Sequence, residues 1–359
     1  MNITFFIGGL SGGGAERVVC NLSNFLNERG HTVSILTMGD DIPTYAIEPV
    51  IQRKCLINQN ERSFFLLNSV RRIYRFIKYI LNHKTDCYVV FLPVTTILLL
   101  TFRRLIKAKV IASERMDPAL YPQKYKKKLR KLANRCDGWI FQTNEQQLWY
   151  GSTLDKIRTE VISNAINSDF ILPPYNGERK KTIVTSGRLA SRKNHKLLIA
   201  AFFSIASDFP DYTLIIYGEG KMRNELENQI ESLGLKNRVL LPGYTTGIRD
   251  NIYDASLYVL SSDSEGMPNA LMEAMAMGVP SISTDCDGGG ARFLIENGKN
   301  GLLVPKNDVE ALAAAMRDLL SHPEKAERLG EEGRKLCERL APEKIYGEWE
   351  EFIKDVVNN

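Results

Sequence analysis

The sequence is poor in cysteine pairs and in metal-ligand clusters. None of its six cysteines forms a C-x-x-C motif, and no histidine or second cysteine lies near them at the spacing of a metal site. Nothing therefore indicates a disulfide framework or a zinc module, and the thiols are expected to be small, buried, reduced side chains. The six are Cys20, Cys55, Cys87, Cys136, Cys286 and Cys337.

Long apolar runs are also missing. The longest, residues 88–102, contains Pro93 and stops at Arg103 and Arg104. At 15 residues it is too short to span a bilayer, and it predicts a buried strand followed by a helix. No Lys or Arg precedes Arg17, so the N-terminus does not read as a signal peptide. We therefore expect a cytoplasmic protein.

Acidic residues are scarce in the first half. Residues 1–173 contain 24 Lys and Arg but 14 Asp and Glu, a net charge of +10, whereas the remainder has a net charge of −5. Much of the excess falls in three runs, at 71–78, 103–109 and 124–131. Such runs are typical of solvated helix faces, or of a surface on anionic lipid, where each basic residue contributes about 1 kcal/mol. Nucleic-acid binding is a weaker alternative, because no recognisable nucleic-acid-binding motif accompanies these basic runs.

Short β-branched and aromatic runs alternate with helical patterns along the 359 residues. This alternation predicts an α/β protein with two doubly wound domains, each built on a parallel sheet covered on both faces. A Pro/Gly-bearing linker at 170–177 predicts domains at 1–172 and 178–341, and a last amphipathic helix is predicted after Pro342, to about Val357. The predicted strands are 3–7, 33–37, 87–92, 109–112, 138–142, 160–163, 182–186, 212–217, 238–241, 257–261, 280–284 and 301–304.

In open α/β sheets, ligands bind outside the carboxyl ends of the strands. Two such domains that face each other are expected to form a cleft, so the loop after each strand is a candidate for the site. The first such loop, 8–17, contains five glycines and opens a helix. It fits neither the dinucleotide fingerprint nor a Walker loop. A loop without side chains at a helix N-terminus lets a diphosphate or sugar approach the backbone, which makes Gly12, Gly13 and Gly14 candidates. A tight packing turn is the alternative.

The loop after the predicted strand 182–186 carries Gly187, Arg188 and Lys193. Both basic side chains could reach one anionic group, although surface Arg and Lys are common. The nearby segment around Gly218 and Gly220 does not form a Walker loop.

The strongest motif is the segment 265–273, with a glutamate at each end. Pro268 suits the first turn of a helix over 268–277, whose positive end points at the loop that holds Glu265. Glu273 is then placed to accept two ribose hydroxyls, and Glu265 to accept hydroxyls of a transferred sugar. Solvated carboxylates are the alternative, which the flanking Met, Pro, Ala and Leu residues disfavour.

A fourth cluster, Glu114, Arg115 and Asp117, follows a predicted strand in the first half. Three charges at that place suit an acceptor site. A salt-bridged loop is the alternative.

Together these motifs resemble family 4 of the retaining glycosyltransferases, which have the GT-B fold. The resemblance runs across essentially the whole chain and in the family's order. The matching motifs are Gly-Gly-Ala-Glu-Arg at 13–17, Gly-Arg-Leu-x-x-x-Lys at 187–193, Glu-x7-Glu at 265–273 and Gly-Val-Pro at 278–280.

The resemblance implies that Arg188 and Lys193 hold the donor diphosphate, that Glu273 binds the ribose and that the loop after Glu265 holds the sugar. It further implies that the final helix crosses back to the N-terminal domain and that no metal or other cofactor is required. Arg188, Lys193 and Glu265 are the predicted catalytic residues, and Gly12, Glu114 and Arg115 the predicted acceptor residues. The predicted donor-binding residues are Gly13, Gly14, Gly187, Arg188, Lys193, Gly243, Tyr244, Thr245, Glu265, Gly266, Met267, Pro268, Asn269, Ala270, Leu271 and Glu273.

The chain departs from the family at one strand end, where many relatives carry a histidine and this chain has Glu114 and Arg115. His195, beside Lys193, is expected to be a helix-surface residue. The pattern Ser-Glu-Arg-x-x-Pro at 113–118 resembles members that build bacterial surface polysaccharides on polyprenyl diphosphate lipids.

The implied activity is transfer of a hexose or N-acetylhexosamine from a UDP-sugar to a lipid-linked glycan, as in O-antigen or capsule assembly, at the anionic inner face of the membrane. A GDP-mannose donor, a soluble acceptor, or a sugar-nucleotide-binding subunit without turnover are the alternatives.

Overall fold

The computed structural model describes residues 1–39, 42–58 and 65–359. The chain divides into two compact units, which comprise residues 1–165 with 343–359, and residues 166–342. The division at 165/166 lies a few residues before the predicted linker at 170–177. Each unit is a parallel sheet with helices packed on it, so the predicted α/β class is confirmed.

In the first unit, seven strands of the described residues pair in parallel in the order β3-β2-β1-β4-β5-β6-β7. The strands are β1 (Asn2–Ile7), β2 (Thr32–Thr37), β3 (Gln52–Cys55), β4 (Cys87–Phe91), β5 (Lys109–Ser113), β6 (Gly138–Phe141) and β7 (Arg158–Val161). The helices are α1 (Gly14–Glu28), α2 (Phe65–Asn82), α3 (Pro93–Thr101), α4 (Gln123–Leu132), α5 (Asn144–Tyr150) and, from the end of the chain, α14 (Pro342–Asn358).

In the second unit, six strands of the described residues pair in parallel in the order β10-β9-β8-β11-β12-β13. The strands are β8 (Lys180–Ser186), β9 (Thr213–Tyr217), β10 (Val239–Gly243), β11 (Ala255–Leu260), β12 (Ser281–Thr284) and β13 (Leu302–Val304). The helices are α6 (His195–Ile205), α7 (Arg223–Ser232), α8 (Ile248–Tyr253), α9 (Asn269–Ala276), α10 (Gly290–Leu294), α11 (Val309–Ser321), α12 (Pro323–Arg334) and α13 (Leu336–Arg339).

Two edge strands differ from the sequence-based prediction: β3 is not predicted, and β7 is predicted at a shifted position. The strand β3 has the sequence QRKC with an exposed polar surface, so it lacks the apolar run that marks the buried strands. The strand β7 was predicted at 160–163 and lies two residues earlier, again because its polar residues at the sheet edge give no clear register. The apolar run at 88–102 does divide as predicted, into β4 and α3. In the part of the chain that the structure describes, no helix is long and apolar enough to cross a bilayer.

The strand order reverses once in each sheet, and these reversals fix where a ligand can bind. In the first sheet the reversal lies between β1 and β4, and in the second between β8 and β11. The helices that follow the two strands at a reversal leave on opposite faces of the sheet, which opens a crevice at the carboxyl ends of those strands. The glycine loop 8–13 follows β1, and the motifs at 187–193 and 265–273 follow β8 and β11.

The last helix, α14, packs on the sheet of the first unit. Trp349 and Phe352 are fully buried, and the Trp349 ring stacks on Phe91 at the end of β4 with 5.8 Å between centroids. Gly138 in β6 leaves the space for this contact, since a Cβ there would lie 2.9 Å from Val356 and 3.0 Å from Phe352. The predicted final helix therefore forms and belongs to the first unit's core.

A buried carboxylate on α14 adds a polar attachment. Glu350 is paired with His31 at 2.9 Å, with Arg29 at 3.2 Å and with Lys354 at 2.6 Å. Burial alone would raise the pKa of Glu350, but bonds from Lys354, His31 and Arg29 lower it from 4.5 to about 2. The ionised carboxylate therefore stabilises the docked helix.

We expect Glu350→Gln to reduce the free energy of unfolding near neutral pH by about 2 kcal/mol, because it removes charge-assisted bonds from a buried site. The native pKa is depressed, so this contribution is present above pH 4.5 and is lost as the pH falls toward 2. Urea denaturation near neutral pH and at about pH 3 measures the difference in the free energy of unfolding between the wild type and the variant. Glu351→Gln, at the exposed next position, is the control. A wild-type advantage that stays constant down to pH 2 would contradict the assignment.

Candidate functional site

The loop after β8 is held by two glycines of the segment after β9. The amide of Gly187 donates to the carbonyl of Tyr217 at 2.9 Å, and a Cβ on Gly218 would lie 1.9 Å from the Gly187 carbonyl oxygen. A Cβ on Gly220 would lie 2.2 Å from the Leu189 carbonyl oxygen. Both glycines are therefore required by the close approach of two backbones, a role that the sequence analysis did not find.

This loop brings Lys193 to Glu265. The Lys193 ammonium lies 2.5 Å from Glu265 Oε1, and Ser262 Oγ donates to the same oxygen at 2.8 Å. Burial by itself would raise the pKa of Glu265, but the charge and bond of Lys193, then Ser262 and Arg192, hold it below its usual range. Lys193 was predicted beside Arg188 on one anion. The structure pairs it with Glu265 and leaves Arg188 exposed on the loop.

Backbone bonds fix the segment that carries Glu265. The amide of Asp263 donates to the Arg192 carbonyl at 2.8 Å, which joins the loops after β8 and β11. The amide of Asp287 donates to the Asp263 carbonyl at 3.0 Å, and the amide of Glu265 to the Asp287 carbonyl at 2.9 Å. Asn194, in the left-handed conformation, donates from its side chain to Asp263 at 2.8 Å. Backbone bonds between the loops after three neighbouring strands, β8, β11 and β12, therefore hold the segment around the ion pair.

The helix α9 begins one residue later than predicted. Pro268 is the N-cap residue rather than the first helical residue, and it supplies no side-chain cap. A Cβ on Gly290 would lie 2.1 Å from the Gly266 carbonyl oxygen and 2.7 Å from Pro268 Cδ, so Gly290 allows the turn 266–268 to pack closely. Met267, Pro268 and Leu271 are buried, whereas Gly266, Asn269 and Ala270 are half-buried. The positive end of the α9 dipole therefore faces the turn that follows Glu265.

Glu273 lies in the second turn of α9 and is 7% exposed, as the flanking apolar residues predicted. Its charge is near Tyr258 of β11, whose pKa is raised to about 12 by burial and further by Glu273. The Tyr258 hydroxyl lies 3.3 Å from Ser186 Oγ at the end of β8. Glu273 and Glu265 are thus both found at the reversal between β8 and β11.

Three of the predicted donor-binding residues, Gly243, Tyr244 and Thr245, lie at the end of β10 and directly after it. Gly243 has φ +90°, and its carbonyl accepts from the Gly218 amide at 2.8 Å, which ties this turn to the one after β9. Tyr244 is 75% exposed, and Thr245 Oγ1 accepts from the Gly247 amide at 3.1 Å. The exposed Tyr244 ring is available for stacking.

His195 is not on the helix surface, contrary to the prediction. It is the first residue of α6 and is 4% exposed. Burial, and then the charge of Lys193, lower the pKa of His195 to about 4. It is therefore a neutral side chain beside the ion pair at neutral pH.

In the first unit, the glycine loop lies where the strand order reverses, after β1. Gly12 and Gly13 have φ values of +56° and +149°, conformations that favour glycine, and Gly14 begins α1. A Cβ on Gly13 would lie 2.2 Å from Glu16 Oε2. The Glu16 carboxylate therefore folds over the helix N-terminus, at the place where an anion was predicted to approach.

Glu114 is enclosed within the first unit. It is 4% exposed, and its two carboxylate oxygens accept hydroxyl bonds from Tyr121 and, at 2.7 Å, from Tyr150. Burial raises the pKa of Glu114 to about 7, against the lowering effect of these bonds.

Arg115 points into the same unit. Its guanidinium donates to Ser113 Oγ at 2.7 Å and to Asn164 Oδ1 at 3.1 Å, and it lies 5.4 Å from the Phe91 ring and 4.8 Å from the Trp349 ring. It thus joins the end of β5 to α14. Both side chains are thus buried and bonded within the first unit, and their acceptor role stays a prediction.

Two family models match consecutive parts of the chain. Residues 12–170 match Glycosyltransferase Family 4, and residues 171–336 match Glycosyl transferases group 1. The chain belongs to glycosyltransferase family 4. The boundary between the two matches falls in the predicted linker, and the matches include all four sequence motifs.

Two bacterial proteins match this glycosyltransferase over nearly the full length of both chains. It is 26% identical over 360 residues to an uncharacterized glycosyltransferase of Haemophilus influenzae, covering 98% of this chain and 99% of that protein. It is also 26% identical over 362 residues to the GalNAc-alpha-(1->4)-GalNAc-alpha-(1->3)-diNAcBac-PP-undecaprenol alpha-1,4-N-acetyl-D-galactosaminyltransferase of Campylobacter jejuni, covering 100% and 99% of the two chains.

Solved structures agree on the fold. The crystal structure of Anabaena HepE in complex with UDP matches this glycosyltransferase with a TM-score of 0.82 at 19% identity, covering 99% of this chain and 100% of that chain. Each unit thus has the Rossmann-like architecture of the GT-B fold.

The approach of Gly218 to Gly187 predicts a stability difference between two glycines of this glycosyltransferase. Gly218 and Gly234 both have positive φ, at +135° and +68°, but a Cβ on Gly234 meets nothing within 4 Å. We expect Gly218→Ala to cost about 1–3 kcal/mol more than Gly234→Ala, because it adds a backbone clash and because a residue with a Cβ adopts φ +135° less readily than φ +68°. Urea denaturation of both variants measures this, and equal losses would contradict the packing role.

Proposed function

We propose that this glycosyltransferase transfers a hexose or N-acetylhexosamine from a UDP-sugar to a polyprenyl-diphosphate-linked glycan, with retention of the anomeric configuration. The observation that carries the proposal is the buried Lys193–Glu265 pair beside the N-terminus of α9. A cation, a helix N-terminus and a buried carboxylate meet at one sheet reversal, which suits a diphosphate joined to a sugar.

In this proposal each residue of the site binds a particular part of the donor. Arg188, Lys193 and the first amides of α9 stabilise the departing UDP, and Glu273 accepts the ribose hydroxyls. Glu265 accepts hydroxyls of the sugar, whose developing positive charge its carboxylate also favours. The base stacks near Tyr244.

In the proposed reaction, the bond between the anomeric carbon and the diphosphate oxygen breaks while the acceptor hydroxyl bonds to the same face of that carbon. The electron pair of the broken bond leaves with UDP, and a phosphate oxygen of UDP takes the acceptor proton. The reaction as written uses the donor's own phosphate as base and the basic residues as counter-charges. It therefore needs no metal ion or cofactor.

The relatives support the choice of donor and acceptor. The name of the Campylobacter jejuni enzyme gives an undecaprenyl-diphosphate-linked glycan as the molecule it acts on, and HepE was crystallised with UDP. The strand-end pattern at 113–118 that resembles polysaccharide-building members supports the same class of acceptor.

The exposed surface of α2 supports a location of this glycosyltransferase at the cytoplasmic face of the membrane. Val70, Tyr74 and Leu81 are 65%, 66% and 61% exposed, and Arg71 and Lys78 are exposed on the same helix. Large apolar side chains next to basic ones suit a helix that lies on an anionic bilayer. We propose that α2 provides this contact, with the basic helix α4 adding charge.

A nucleotide panel tests the donor. We expect UDP, but neither GDP nor ADP, to raise the melting temperature, and Glu273→Gln to raise the KM for the UDP-sugar at least about tenfold, because it removes charge-assisted bonds to the ribose. Turnover is measured with a panel of UDP-sugars and extracted lipid acceptor.

Glu331→Gln, an exposed carboxylate of the same unit, is the control and should leave KM unchanged. A shift with GDP alone would favour the GDP-mannose alternative. Wild-type kinetics in Glu273→Gln would remove the ribose assignment, and donor binding without any turnover would favour the binding-subunit alternative.

Vesicle sedimentation tests the membrane contact. We expect binding to phosphatidylglycerol vesicles that weakens at high salt, and about thirtyfold weaker binding for the double variant Arg71→Ala, Lys78→Ala, at about 1 kcal/mol per basic residue. The control is Lys236→Ala, Lys299→Ala in the second unit, where both residues are exposed. Equal binding by both double variants would contradict the role of α2.

A further inference from the structure

We propose that Ser262 is a positioning residue that fixes which oxygen of Glu265 meets the transferred sugar. Ser262 lies outside all the sequence motifs. The inference rests on the proposed function for the identity of the ligand, but the contact between Ser262 and Glu265 stands on its own.

Both contacts that the structure gives to the Glu265 carboxylate end on the same atom. Lys193 Nζ lies 2.5 Å from Oε1, and Ser262 Oγ donates to Oε1 at 2.8 Å. Among the described residues, none is bonded to Oε2. A carboxylate accepts through both oxygens, so Oε2 is the atom that remains for a sugar hydroxyl.

Ser262 is held more firmly than Lys193. It is fully buried two residues after β11, and its carbonyl accepts a bond of 2.5 Å from the Thr284 hydroxyl at the end of β12. Its own hydroxyl is therefore placed by the sheet. Lys193 has a long side chain that is 14% exposed.

This difference matters when a donor binds. In the proposed function the Lys193 ammonium interacts with the diphosphate as well as with Glu265, so its bond to the carboxylate weakens as the ligand enters. The bond from Ser262 does not depend on the ligand. It keeps Oε1 turned toward the protein and Oε2 turned toward the sugar throughout.

Several charged or titratable groups face Glu265. Lys193 and Arg192 lie on the loop after β8, His195 begins α6, and Cys286 follows β12. Burial raises the pKa of Glu265, whereas Lys193, then Ser262 and Arg192, lower it. Because His195 titrates in the same acid range, at about 4, the Glu265 carboxyl has to be observed directly.

The first experiment needs no substrate. The full chain is labelled with ¹³C at the glutamate carboxyls, and the Glu265 signal is assigned by its loss in Glu265→Gln. We expect Ser262→Ala to raise the pKa of Glu265 by about one pH unit, since it removes one hydrogen bond to a charged group. The control Ser281→Ala removes a similarly buried hydroxyl that donates to the Val279 carbonyl, and should leave the titration unchanged. An unmoved Glu265 titration in Ser262→Ala would overturn the proposal.

The second experiment measures the sugar contact. Calorimetry compares UDP with the UDP-sugar for the wild type, Ser262→Ala and Ser281→Ala. We expect Ser262→Ala to bind UDP as the wild type does, and to bind the UDP-sugar roughly tenfold more weakly, because the misplaced carboxylate loses its hydroxyl bond.

Three further outcomes are decisive. An equal loss for UDP and UDP-sugar would show a scaffold role for Ser262 and overturn the positioning role. Unchanged binding of both ligands would also overturn it. A wild type that binds neither ligand would reject the proposed function, while the titration would still decide whether Ser262 holds Glu265.

Discussion

The buried ion pair between Lys193 and Glu265 joins the two loops that flank the reversal of the second sheet. Removing two charges from water is unfavourable unless further bonds satisfy them, and here the Ser262 hydroxyl supplies one such bond to Glu265. Nearby glycines help to hold the loops that carry this ion pair. Gly218 and Gly290 let neighbouring turns approach closely enough to fix both loops in place.

The first unit uses its buried charges differently. Glu350 and Arg115 attach the last helix to the sheet, and Glu114 is enclosed by two tyrosines. These groups stabilise the fold from within. Other basic residues, such as Arg71 and Lys78 of α2, are exposed on the outside of this unit. The contrast separates the proposed donor chemistry of the second unit from the proposed membrane contact of the first.

Sequence reasoning worked best where the signal was local. Buried strands such as β4 and β11 were found because continuous apolar runs mark them, and the motif loops were found because each follows such a strand. It failed at β3, whose polar edge gives no apolar run, and at His195, where a polar residue type suggested exposure. Pro268 was misplaced by one position because helix ends depend on local backbone geometry.

By itself the sequence determined the two-domain α/β class, the family and the set of loops that carry the candidate site. Periodicity and the order of motifs are present in the sequence itself, so they can be recognised without knowledge of the fold. Only the tertiary structure decided which charges are partners. It turned Glu114 and Arg115 inward and paired Lys193 with Glu265, because such contacts join residues far apart in the chain. Their energies depend on burial, which no single segment specifies.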